Sequence, residues 1–383
     1  MGLLFLIFAA FKVFFNPVLG CQIPFNDVSL IGNATHSSDT LIEAAYRNGK
    51  LEGFFPNPAT GWHDVVSNPL SYFDPWPPGV SQSGSRPLIV VKYCFADDAI
   101  YNLFPTLVRD AWNVWYLDSG LGIPSEQNGH RLWFNHAPLP DNTNKDNKSC
   151  YLKDGRFNTI FPPETVMILA QPYGRAGASS TTGYIPKSKN PIPYRHRMWL
   201  GAALATHPFG KSVIAHEIGH ILGLIREHQR ADRDHYVAFQ CHNLRGYAEM
   251  KIQVEMHPKR PGDTIDLICY NPAVAKLYNF ASADYTIGGL MQGTRFEFRT
   301  HGSVYDLDSI MHYGSTQFAQ HWPEEVDSMP LVKWQARGPN FDPKGKVPTP
   351  KNADPIWEAQ KPSRLDVERL KWLYPWDPRR PSK

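Results

Sequence analysis

Beyond its first twenty residues the sequence has no apolar run long enough to cross a bilayer, which excludes an integral membrane protein built from helices. It also has almost no net charge. The 39 basic and 36 acidic residues leave a formal +3, too near balance for a nucleic-acid-binding surface. No internal repeat is visible, so a solenoid or propeller is not expected. The glycine-rich stretch "GRAGASSTTGY" lacks the Lys-Ser/Thr ending of a nucleotide-binding loop and reads as a connection. Cysteine is sparse at five residues, too few for a disulfide-built miniprotein in a chain of this length.

What is present begins with "MGLLFLIFAAFKVFFNPVLGC". The apolar run from Leu3 to Phe15, followed by the small residues Val18 and Gly20, predicts a secretory signal over residues 1–20, with a short membrane anchor as the alternative. The product is then secreted and extracellular, with no membrane attachment after signal removal. Sequons at Asn33 and Asn147 fit that compartment. Setting aside Cys21 at the processing point leaves Cys94, Cys150, Cys241 and Cys269. Cys241 and Cys269 bracket one polar insertion and are expected to pair, which leaves Cys94 with Cys150. Residues 21–85 are rich in Pro, Gly, Asn and Ser and read as a pro-segment or linker.

From residue 86 the texture becomes that of a folded domain, expected to run to 376 before a basic tail over 377–383. "PLIVVKYCF", "RLWFNHA" and "TVMILAQ" predict strands. Ile100, Leu103, Phe104, Leu107, Val108, Ala111, Trp112 and Trp115 recur at helical spacing, with Pro105 at a helix first turn and Gly120 as a stop. "GKSVIAHEIGHILG" predicts a helix ended by Gly223. "PSRLDVERLKWLYPW" predicts a closing helix with Ser363 and Asp366 at capping-box spacing.

The chemistry lies in "HEIGHILGLIREHQRADRD", residues 216–234. Positions i and i+4 of a helix lie one turn apart on one face, so His216 and His220 can aim two imidazoles at one metal ion. A catalytic zinc site uses three protein ligands and leaves a fourth position for water. Glu217, beside the first histidine, is placed to take a proton from that water and return it to a leaving amine.

This stretch resembles the extended signature of the astacin family of metzincin zinc peptidases, H-E-x-x-H-x-x-G-x-x-H-E-x-x-R-x-D-R-D. It matches at His216, Glu217, His220, Gly223, Glu227, Arg230, Asp232, Arg233 and Asp234. "SIMHYGS", residues 309–315, is similar to the family's methionine-containing turn. The resemblance implies an α+β, metzincin-like catalytic domain of two subdomains, with a twisted, mostly parallel sheet and two long helices above a less regular C-terminal half. It implies a monomeric zinc-dependent endopeptidase acting on protein or peptide substrates. His216 and His220 are then metal ligands for Zn2+, Glu217 is the general base, and Tyr313 ligates zinc or stabilises the oxyanion. It further implies that Glu227 meets a new amino terminus after activation cleavage. "LEGFF", residues 51–55, lacks the aspartate of the family's inhibitory F-x-G-D motif, so no such switch is assigned.

One ligand position departs from the pattern: Arg226 stands where the third histidine belongs. A guanidinium only donates hydrogen bonds and stays protonated, so it cannot bind zinc. Three readings stay open. His228 or Tyr313 supplies the missing ligand; or the domain is an inactive pseudoenzyme that binds peptides or proteins; or the change is a recent inactivating one. A fourth, from another class, is a glycan-binding surface made by Trp62, Trp76, Trp322 and Trp334.

Overall fold

The computed structural model describes residues 75–79, 88–137, 149–171, 177–188, 190–230, 232–287, 304–320 and 325–377. The signal, Cys21, the sequon asparagines Asn33 and Asn147, "LEGFF", Trp62, Trp322 and most of the basic tail lie outside the described residues.

The N-terminal half is built on a five-stranded sheet in the order β2-β1-β3-β5-β4. Strand β1 (Ile89–Phe95) is rich in β-branched and aromatic residues and takes a central place, parallel to both β2 (Leu132–His136) and β3 (Val166–Ala170). Strand β5 (Arg197–Leu200) continues the parallel run, and β4 (Ala178–Ser180) closes it as an antiparallel edge. The glycine-rich stretch expected to be a plain connection therefore contains a strand. Its short, small side chains suppress the strand signal, and pairing with β5 overrides local propensity.

The helical pattern after β1 resolves into two pieces. Helix α1 (Asp98–Leu103) is capped by the Asp97 carboxylate, and α2 (Pro105–Asn113) starts on Pro105, as expected. A π turn, Val114–Asp118, extends α2, and Gly120 at φ +78° ends it. Helix α3 (Gly210–Ile221) carries the two histidines and ends at Gly223, whose φ of +96° is one that L side chains rarely adopt. Trp115 on the π turn donates its Nε1–H to the Ala215 carbonyl at 2.8 Å, locking α2 and its extension against α3.

The C-terminal half is less regular. It holds a small antiparallel sheet of β6 (Val237–Phe239), β7 (Leu331–Trp334) and β8 (Ala353–Asp354). It also holds three short helices, α4 (Tyr247–Met256), α5 (Ile265–Tyr270) and α6 (Pro272–Leu277). A second apolar cluster joins Val237, Leu244, Ile268, Tyr285 and Leu331, separate from the main cluster beneath the large sheet. The fold is thus α+β with two subdomains and a mostly parallel sheet, as expected. Both disulfides also form as expected, Cys94–Cys150 and Cys241–Cys269. Of the tryptophans expected on a glycan-binding surface, the two described ones do not face solvent: Trp76 and Trp334 are buried in the two halves, at 5% and 2% exposure.

The closing helix α7 (Arg364–Leu373) packs Val367, Leu370 and Leu373 into the main core and carries the expected capping box. Asp366 does more than cap. Beyond the Ser363 N–H at 3.0 Å, its carboxylate accepts from Ser309 Oγ at 2.6 Å and Ile310 N at 2.9 Å. One buried carboxylate thereby ties the final helix to the turn at 309–313. Replacing Asp366 with Ala strands two buried donors as well as losing a cap, and is expected to cost about 2–4 kcal/mol. Ser363→Ala, which loses the cap and the hydrogen bond from Ser363 Oγ to the Asp306 carboxylate but leaves the donors at 309 and 310 satisfied, should cost about 1–2 kcal/mol. Urea unfolding of the two variants checks the difference, and equal effects would remove the proposed tie.

Candidate active site

His216 and His220 face each other on α3 with ring centroids 4.8 Å apart. Each ring is fixed by its far nitrogen. His216 Nδ1–H donates to the Ile310 carbonyl at 2.6 Å, and His220 Nδ1–H donates to the Leu224 carbonyl at 2.8 Å. A carbonyl only accepts, so the proton sits on Nδ1 and each Nε2 presents a lone pair. Both Nε2 atoms are shut off from solvent and have no hydrogen-bond partner. Burial first, and then the neighbouring Arg226 charge, pull His216 down to about 4. His220 falls well below its ordinary value through burial, His216 and Arg226. Both rings are therefore neutral near pH 7.

Glu217 is 1% exposed and accepts from Ser180 Oγ at 2.6 Å. Sequence reasoning missed Ser180, because it lies on the edge strand hidden in the glycine-rich stretch. Beneath the helix, Met311 is fully buried in the turn 309–313. A Cβ on Gly219 would meet Met311 Sδ at 2.5 Å, so glycine is what lets the turn approach α3 this closely. Tyr313 is also buried, and its ring lies 6.4 Å from that of His216. The structure thus brings His216, His220, Glu217 and Tyr313 together around the end of one helix.

Arg226 lies in the same place. It is 6% exposed, its Cζ sits 5.2 Å from the Tyr313 ring centroid, and it forms an ion pair with Asp284 at 3.5 Å. Burial pushes Asp284 up to about 6 against the opposing pull of Arg226. Asp284 was not legible in the sequence as a site residue, since nothing local marks an acid 58 positions downstream as the partner of Arg226. His228 does not fill the gap. Its Nε2–H donates to the Asp284 carbonyl at 2.9 Å, and its Nδ1 accepts from Tyr313 N at 3.1 Å. Both ring nitrogens are spent on backbone.

Whether the residues fit zinc can be read from these contacts. The two unpartnered Nε2 lone pairs suit a metal ion. The third place is taken by a guanidinium held by its own carboxylate, and among the described residues no group of three or more His, Cys, Asp or Glu is arranged to hold a metal. With His228 spent on backbone, the buried Tyr313 beside His216 is what remains of the replacements the sequence offered for the third ligand.

Just beyond Arg226, Glu227 is buried between two arginines. Arg230 Nη1 lies 2.7 Å from Oε1 and Arg369 Nη1 lies 2.8 Å from Oε2, and the Asp306 N–H donates to Oε1 at 2.9 Å. Burial raises this carboxyl, but Arg369 and Arg230 outweigh it and hold Glu227 at about 2.

The family model for Astacin, a peptidase family, matches residues 201–263, the span that contains α3 and the whole extended signature. Nematocyst expressed protein 6 of Nematostella vectensis is 42% identical over 55 residues, 14% of this chain and 18% of that protein. Low choriolytic enzyme of Oryzias latipes is 26% identical over 163 residues, 43% of this chain and 38% of that protein. The chain therefore matches less than two fifths of the length of either relative. Among solved structures, High choriolytic enzyme 1 from Oryzias latipes, a hatching enzyme zinc-protease, aligns at 15% identity and TM-score 0.38, covering 82% of this chain and 96% of that one. Myroilysin aligns at 17% identity and TM-score 0.36, covering 79% and 95%. The segment that carries the candidate site thus matches the astacin peptidase family model, as the sequence signature implied.

The buried Glu227 makes a checkable claim. A depressed carboxyl stabilises the fold above its unfolded value of 4.5, and that stability is lost as pH falls toward about 2. Glu227→Gln should cost about 3–5 kcal/mol at pH 7, because it leaves two buried arginines short of a counter-charge. It should also flatten the fall in stability between pH 4.5 and 2. Denaturant titrations across that range test both parts.

Proposed function

We propose that the chain is a secreted, monomeric astacin-type protein that holds a protein or peptide chain at the His216–Tyr313 site without hydrolysing it. The reading rests on one observation above others, the buried Arg226–Asp284 pair at the third ligand place. A guanidinium there brings positive charge to a site built for a cation, so it substitutes for the ion in charge while lacking any power to bind and ionise water. A recent inactivating change to arginine would be expected to leave a buried cation with no carboxylate to meet it, at a cost of several kcal/mol. Asp284 argues that the surroundings already accommodate Arg226.

A second reading has its own support. Two neighbouring imidazoles on one helix, each with a buried and unpartnered Nε2, are what a zinc endopeptidase needs from His216 and His220. Glu217 would then serve as general base and Tyr313 would stabilise the developing oxyanion. Secretion in either case is supported by the N-terminal pattern and the two disulfides.

Metal content separates the two. On the first reading the purified full chain, dialysed against micromolar zinc, carries far less than about one zinc per chain, and its melting temperature does not respond to zinc. Arg226→His should lose about 1–3 kcal/mol without metal, because Asp284, already pushed up to about 6, takes up a proton once its guanidinium is gone, and should regain stability as zinc is added. About one zinc per unmodified chain, with Glu217-dependent cleavage of a denatured protein, would establish the second reading instead.

A further inference from the structure

The five described residues Pro75–Gly79 lie inside the stretch whose composition reads as a removable pro-segment, yet they are built into the folded unit. Trp76 is 5% exposed and belongs to the main apolar core. Its ring packs on His196 at 4.6 Å and on Tyr184 at 5.3 Å between centroids. Its Nε1–H donates to the Ile221 carbonyl at 2.7 Å. Gly79 N–H donates to the Leu88 carbonyl at 2.9 Å, so the segment is held beside the start of β1.

Ile221 is the last residue of α3, and the final carbonyls of a helix have no partner within it. Two side chains far apart in sequence supply what is missing. Trp76 takes the Ile221 carbonyl, and Tyr374 OH donates to the Leu222 carbonyl at 2.7 Å. Tyr374 OH in turn accepts from Trp76 N at 3.4 Å, so the two caps touch. Three residues past Ile221 stands the Leu224 carbonyl, which fixes the His220 proton on Nδ1. The caps and that tautomer therefore depend on the same turn of chain.

We infer that Trp76 is a positioning residue for the histidine-bearing helix, and that residues 75–79 stay with the mature folded protein. Trp76 holds the end of α3 so that the Leu224 carbonyl meets His220 Nδ1–H, leaving Nε2 as an acceptor toward the site. The inference is independent of whether the site binds zinc, because the tautomer and the retained segment are defined by hydrogen bonds within the chain.

Two measurements on the full chain test it. The first is the N-terminus of the secreted, folded monomer, read by intact mass and peptide mapping. A folded species that retains Trp76 is expected, and a stable folded species starting beyond Gly79 would overturn the inference. The second compares the wild type with Trp76→Phe, which keeps a ring in the core but loses the N–H. Imidazole ¹⁵N spectra of the wild type should show His220 as a single Nδ1–H form. In Trp76→Phe, exchange of that proton should quicken by about fivefold or more while the melting temperature falls by only a few degrees. An unchanged His220 signal would mean that the tryptophan merely fills space. Should Trp76→Phe fail to fold, Tyr374→Phe removes the neighbouring cap on Leu222 and is read in the same way.

Discussion

A carboxylate without water must have cations or donors around it, and at Glu227 that requirement draws three distant parts of the chain to one point. Arg230 comes from the stretch following α3, the Asp306 N–H from the approach to the methionine turn, and Arg369 from the closing helix. Losing one member of such a set leaves an uncompensated buried charge. The same convergence places Asp366 next to Ser309 and Ile310, and through them sets the floor under α3. The histidines are only as well placed as this polar junction between the two halves.

Much of this was legible because local chemistry and tertiary need agree. The capping box at Ser363 and Asp366, the proline start of α2, the glycine end of α3 and the strand β1 each carry a signal in a few adjacent residues. The pairing of Cys241 with Cys269 was also readable, since it closes one polar insertion. The His216–His220 pair follows from helical geometry alone, and the structure seats both rings as that geometry requires.

The rest was hidden for identifiable reasons. Ser180 sits on an edge strand made of Ala and Ser, whose place in the sheet is set by the neighbouring strand rather than by propensity. Asp284 is tied to Arg226 by an ion pair that spans many turns of chain, with no periodicity to announce it. Trp76 lies in a stretch whose average composition argues against order, and a single buried anchor does not alter an average. His228 looked like a candidate ligand by its distance along the chain. Its two nitrogens are instead committed to holding the backbones of Asp284 and Tyr313.

The tautomers of His216 and His220 carry one more consequence. Two neutral rings whose buried Nε2 atoms have no hydrogen-bond partner leave two acceptors unsatisfied in the place that Arg226 shares. The fold carries that cost as long as no donor or cation meets them. A proton donor or a cation that reached the two nitrogens would relieve that cost, and a carbonyl oxygen would not. Anything bound directly to the pair would therefore have to bring a proton or a positive charge with it.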